Sequence, residues 1–271
     1  MRATRGLKSA KFKLVRAAKH LRTIKQHSAA YAKAKPHKIV KKSRRKKKLN
    51  IPKAPSLEIS LLAGEMIYQM RSALDHLVFD LIRRNPNVAT IDPEWEDNCQ
   101  FPMRVRLPKQ SRPPLKKAEF SRDLPGIADA PFAFIESIQP YYGVGAVNNA
   151  LRFLRHLSNI DKHRHLNLLR PRIRQYQSVR YPSGLSGSGY STLDRGAEIN
   201  PVPAERPLRS AYSAEPEKPL YVKRRYEALV AFNEKRYLGE AKALSVDYLL
   251  GLILKQIETT IFPAFERFIK K

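Results

Sequence analysis

At 271 residues, 42% of them hydrophobic, the chain is long enough for one large domain or two small ones with a sizeable core, and wholesale disorder is excluded. A single cysteine, Cys99, excludes an internal disulfide and a thiolate metal cluster and fits a reducing, cytoplasmic setting; no run of about 18 uncharged apolar residues is present, so no membrane span is expected. The formal charge of +28 is lopsided: residues 1–57 hold 20 Lys and Arg and no acid, a field that draws polyanions, RNA before DNA, with anionic lipid or another acidic partner as the alternatives.

The basic start lacks the continuous apolar core of a secretory signal. Being Arg-rich and acid-free, it also reads as a transit peptide, but its apolar pattern suits a folded element better. Leu7, Ala10, Leu14, Ala17, Leu21, Ile24, Ser28 and Tyr31 recur at alternating spacings of 3 and 4, one stripe of an amphipathic helix. Pro36 should end it. "HKIVKKSRRKKKLNIP" then offers two short strands around a basic turn, a hairpin without the usual Asn-Gly. Its Arg44, Arg45, Lys46, Lys47 and Lys48 are the expected nucleic-acid contacts. The segment 1–57 reads as one basic unit and 58–271 as the main domain.

A long helix should start at Ser56, a plausible N-cap, and stop near "RRNPN". Residues 86–114 are proline-rich and read as an irregular connection. Helices are expected near 115–122 and 130–139, and from about Ala146 to Leu169. "RPRIRQYQSVRYP" reads as a strand, "SGLSGSGYS" as a flexible linker, and "AEINPVP" and "LYVKRRYEALVAF" as further strands. The Gly-rich stretch lacks the Gly-Lys-Ser/Thr of a phosphate loop. Leu244–Ile269 closes the chain as an amphipathic helix. The order predicts an α+β fold: a helical bundle with a small antiparallel β-sheet inserted at about 170–235, before the C-terminal helix.

The candidate site lies in "RSALDH". On a helical wheel Glu65, Gln69, Ser72 and His76 form one polar band, Asp75 flanks it, and Arg71 stands about 140° from His76, beyond Asp75. The bland reading is a solvated face or a network fixing helix register. In "LRFLRHLSNIDKHRHLNLL", Asp161 falls within the apolar side, flanked by Arg164 and His165, while His163 points away. A carboxylate there needs a cation, and Arg71, Arg164 or His76 are the candidates. Arg71, His76 and Asp161 are therefore the candidate catalytic residues, with Glu65, Ser72, Asp75, His163, Arg164 and His165 in support. A metal set from Asp75, His76, Asp161 and His163 or His165 can be written, but no metal-binding motif supports it; neither metal nor cofactor is expected.

"GEMIYQMRSALDHLVFDL", "FPM", "IESIQPYY" and "LSNIDKHRHL", in that order, resemble a family of uncharacterised bacterial, often actinobacterial, proteins. Arg71, Ser72 and His76 also resemble the Arg-polar-x3-His motif of the HEPN (higher eukaryotes and prokaryotes nucleotide-binding) superfamily. That resemblance implies an HEPN-like bundle, a homodimer, and metal-independent endoribonuclease action of a toxin or defence kind. In that chemistry a histidine moves a proton and an arginine holds the phosphate. Many HEPN-like proteins are non-catalytic. The alternatives are a non-enzymatic nucleic-acid-binding or structural protein, in which the same residues hold the bundle together, and a small-nucleotide-binding module.

Overall fold

The computed structural model describes residues 5–35, 37–41, 47–51, 54–107, 112–143, 145–163, 169–180, 186–193, 198–199, 221–233, 241 and 244–270. Helix α1 (Arg5–Lys33) runs antiparallel to α2 (Leu57–Ile82). The expected stripe is what packs: Ala10, Leu14, Ala17, Ile24 and Tyr31 are buried, and Leu7 and Leu21 pack on the core at its edge. Polar pairs stitch the seam, Ser9 to His76, His20 to Glu65 and His27 to Glu58. The basic unit expected over 1–57 thus shares one core with the rest of the chain. Lysines off the stripe, Lys8, Lys11, Lys19 and Lys25, are exposed.

The Ser56 side chain accepts a hydrogen bond from the Glu58 N–H and caps α2. Strands β1 (Lys38–Lys41) and β2 (Lys47–Asn50) form the expected hairpin, with Lys41 opposite Lys47. β5 (Glu198–Ile199) pairs with β2 and makes this a three-stranded antiparallel sheet. After α2 come the short α3 (Val88–Ile91) and α4 (Trp95–Asn98); the Trp95 ring stacks on Phe79 at 4.9 Å. The helix expected near 115–122 is a single 3-10 turn, Lys117–Phe120, and that near 130–139 is α5 (Asp129–Ser137).

Helix α6 (Ala146–His163) is shorter than expected. Leu169 already belongs to β3 (Leu169–Arg180), opposite Phe232 of β6 (Tyr221–Phe232). The second sheet has the order β4-β3-β6 and is antiparallel throughout. β4 (Ser186–Leu193) occupies the expected linker "SGLSGSGYS" and corrects that expectation. The segment has no apolar alternation of its own, and its pairing comes from the edge of β3. Side chains added at Gly187 and Gly189 would meet nothing within 4 Å, so the strand is bare rather than strained. The root of this sheet is buried through Ile173 and Ala228–Phe232, while Arg180, Lys223 and Arg225 at its far end are exposed.

The last helix is α7 (Val246–Gln256), a wide π turn at Ile257–Ile261, and α8 (Phe262–Lys270). Pro263 explains the widening. It donates no backbone hydrogen bond and its ring crowds the carbonyl four residues back. The chain responds by bonding the Phe262 N–H to the Ile257 carbonyl, five residues back. Among the described residues no helix is long and apolar enough to cross a membrane.

Candidate functional site

The polar residues of "RSALDH" divide between two sides of α2. On one side, Arg71 donates to Gln100 Oε1 at 3.3 Å and pairs with Asp75 Oδ1 at 3.3 Å. The same Asp75 oxygen accepts the Phe101 N–H at 2.9 Å. Gln100 donates to Asp123 Oδ1 at 3.0 Å, and Asp123 Oδ2 pairs with Arg104 at 3.2 Å. The Arg104 N–H reaches Gln139 Oε1 at 2.9 Å, and the buried Gln139 amide donates to the carbonyls of Pro102 and Ile135. These bonds lace the "CQFPM" strip between α2 and α5. They satisfy backbone groups of a segment with no secondary structure of its own.

On the other side, His76 Nδ1 lies 2.7 Å from Ser9 Oγ of α1. Together with Asp75 it lines a cavity of about 410 Å³ between the two helices. Cys99 also lines it; burial, then Asp75 and Asp123, pushes its thiol up to about 12, so it is a neutral wall. Burial lowers the His76 pKa below its ordinary 6.5, Lys13 adds to the effect, and Asp75 opposes it. Burial lowers His20 as well, against Glu65 and with Arg16. Both rings therefore bind protons more readily in the unfolded chain. Their contribution to stability is complete above pH 6.5 and is lost as the pH falls through their lower folded values. The urea midpoint should drop as the pH is taken from neutrality to about 5, and His76→Gln should lessen the drop. A difference between wild type and variant that stays constant over that range would show that His76 is not the group responsible.

The structure does not bring Asp161 to His76. Asp161 is half-buried against Gly64, where an added Cβ would stand 2.7 Å from its Oδ1. Gly64 precedes His76 by twelve residues, about 18 Å along the helix axis. The missing side chain at Gly64 is what lets α6 come this close to α2. Glu65 is exposed and lies 3.4 Å from His20 Nδ1; Ser72 is half-buried on α2. His163 is the last residue of α6, with its side chain outside the described residues, as are Arg164 and His165 entirely. Arg44, Arg45 and Lys46 also lie outside; Lys47 and Lys48 are placed in β2, but their side chains are not described. Among the described residues no three His, Cys, Asp or Glu are placed to hold a metal ion.

Two basic features were absent from the sequence expectations. First, Arg155 of α6 stands near Arg71 and near Arg106 of the connection. Desolvation, then the charges of Arg71 and Arg106, lowers its pKa. The three arginines come from three separate elements, so no spacing announces them. Second, Arg170, Arg172, Arg174 and Tyr176 share one face of β3, and Arg225 of β6 lies over the Tyr176 ring at 4.7 Å. Here a signal existed: the period-two arginines of "LRPRIRQY".

A scan against protein-family models finds none that matches this chain, and searches of curated proteins and of solved structures find no match either.

Proposed function

We propose that the protein binds RNA, and that it does so on the surface where Arg71, Arg106 and Arg155 converge. That convergence is the observation that carries the reading. Burial, then the charges of Arg71 and Arg106, lowers the Arg155 pKa, and the like charges repel. An anion that accepts from several of them turns the repulsion into binding, and a phosphate matches the guanidinium fork. The exposed lysines of α1 and the exposed Arg180, Lys223 and Arg225 lie outside this cluster and add only to the general positive field that draws a polyanion. A flexible single strand follows such a surface more readily than a DNA duplex.

A second reading, a metal-independent endoribonuclease on an HEPN-like bundle, is favoured by the place of His76. It lines an open cavity, and Asp75 bridges the space between it and Arg71. In this reading Arg71 holds a phosphate and His76 moves the proton. The two leave α2 about 140° apart, so a second subunit would complete the site. The exposed Phe12, Leu57, Leu61 and Tyr68 on α1 and α2 give a second copy an apolar face to meet.

RNA binding and cleavage in EDTA test both readings. Wild type is expected to bind and cut, while Arg71→Ala and His76→Ala cut at background with a native circular dichroism spectrum. Binding without cutting removes the nuclease and leaves a non-enzymatic RNA-binding protein. No binding at low salt overturns both.

A further inference from the structure

Helix α1 carries a face that neither the core nor the arginine surface uses. His20 and Leu21 are consecutive, about 100° apart on the helix, and they meet different neighbours. His20 Nδ1 is 3.4 Å from Glu65 of α2, while Leu21 lies against Gly251 of α7, where an added Cβ would stand 3.6 Å from its Cδ2. α1 therefore lies in the valley between α2 and α7, and its opposite side turns outward. Lys8, Lys11, Phe12, Val15, Lys19 and Arg22 are exposed there at helical spacing. Phe12 is 70% exposed and Val15 47%. From Arg5 to Lys33 the helix holds nine Lys and Arg and no acid. Glu58 and Glu65, the acids of α2 at this seam, each stand 3.4 Å from a histidine of α1.

Exposed apolar side chains gather around this face. Of the large hydrophobic side chains left exposed among the described residues, all but Ile91 stand on α1, α2 or α7. Leu61 and Tyr68 lie on one flanking helix, Tyr248 and Leu252 on the other, and Lys13 Nζ reaches to 5.6 Å from the Tyr68 ring. Such side chains are ordinary when scattered singly; grouped on one layer they mark a contact. Charge alone does not choose among polyanions, but these side chains do. A nucleic acid takes the lysines yet gives aliphatic Val15, Leu61 and Leu252 no base to stack on. A second copy, the occupant in the nuclease reading, would set one acid-free helix against another. An anionic bilayer answers both features. Its headgroups take the lysines, whose stems lie along apolar surface, and the side chains between them reach the acyl boundary.

We propose that this face rests on an anionic lipid bilayer, with α1 lying in the plane of the surface, Phe12 and Val15 inserted and the surrounding lysines on the headgroups. The contact is independent of the RNA reading. His76 faces α1, and Arg71 leaves α2 about 140° away from it, so the arginine surface stays open while α1 is on lipid.

The experiment is co-sedimentation of the full chain with phosphatidylcholine vesicles, with and without phosphatidylglycerol. Wild type should pellet with the phosphatidylglycerol vesicles alone and release as salt is raised. Phe12→Gln with Val15→Gln keeps every charge; it should weaken vesicle binding at least about tenfold and leave RNA affinity unchanged. Replacing Lys11, Lys19 and Lys25 by glutamine should weaken it by about 10²-fold, near fivefold for each charge. All five positions are exposed, so each variant should keep a native circular dichroism spectrum. Trp95, the natural tryptophan, is 7% exposed. Lipids brominated on the acyl chains should therefore quench the Phe12→Trp variant and not wild type. No pelleting at low salt, equal pelleting with both vesicles, or a bound Phe12→Trp variant that is not quenched overturns the proposal. So does a Phe12 and Val15 variant that loses RNA as strongly as vesicles, which seats nucleic acid there. A wild-type dimer that this variant breaks, with no vesicle binding, gives the face to a second copy and overturns it too. Vesicle binding with no RNA binding keeps the lipid face and removes the RNA reading alone.

Discussion

Glu136→Leu is expected to cost about 3–5 kcal/mol of stability, measured by urea denaturation near pH 7. Glu136 is 4% exposed and holds three donors at once. Its carboxylate accepts the Leu115 N–H at 2.9 Å, the Tyr141 hydroxyl at 2.6 Å and the Tyr142 hydroxyl at 2.9 Å. Leucine fills a similar volume but accepts nothing. The backbone N–H and two hydroxyls then lose their partner, at about 1–3 kcal/mol each, less what water recovers at the more open tyrosines. The tyrosines give an independent readout. Burial, then the bond to Glu136 and its charge, pushes the Tyr142 hydroxyl up to about 12 and raises Tyr141 further. A raised pKa contributes stability that is complete below the unfolded value of 10 and is lost as the pH rises through the folded values. Wild type should therefore weaken above pH 10, and the variant less steeply. A loss under roughly 1 kcal/mol would show that the three donors find water without Glu136.

Much of the scaffold was legible because it is written in local periodicity. The α1 stripe, the Ser56 cap and the two long strands follow from spacing and capping chemistry, which act within a few residues. β4 was not legible, because a Gly/Ser segment becomes a strand only when a partner's edge lies beside it. Within the site, the wheel placed Arg71 and His76 on opposite sides of Asp75, and the structure agrees. The wheel could not say what Asp161 meets, because Gly64 fixes where the helices cross. "FPM" and "IESIQPYY" stood out as motifs, but Gln139 shows their job only once it bonds across to Pro102 and Arg104.

Replacing Arg71, Arg106 and Arg155 together by glutamine is expected to weaken binding of single-stranded RNA by about 10²-fold near 0.1 M salt. Each phosphate contact on a single strand releases about 0.7 of a counterion, so losing three should flatten the slope of log affinity against log salt by about 2. Arg71 also pairs with Asp75 and Gln100, so part of the effect could come from a loosened "CQFPM" strip. The Arg106 and Arg155 double variant removes that ambiguity: it keeps Arg71 and should flatten the slope by roughly 1.4. Relieving the mutual repulsion should leave its melting temperature equal to wild type or higher. A matched control takes the same three charges from the exposed Lys11, Lys19 and Lys25 of α1. If any three positive charges serve equally, control and cluster variants lose affinity alike, and the arginine surface is only part of a diffuse field. If the cluster is the site, the control retains most of its affinity. An unchanged salt slope in the natively folded triple variant would place the RNA elsewhere on the molecule, because phosphates that never met these arginines release no counterions to them.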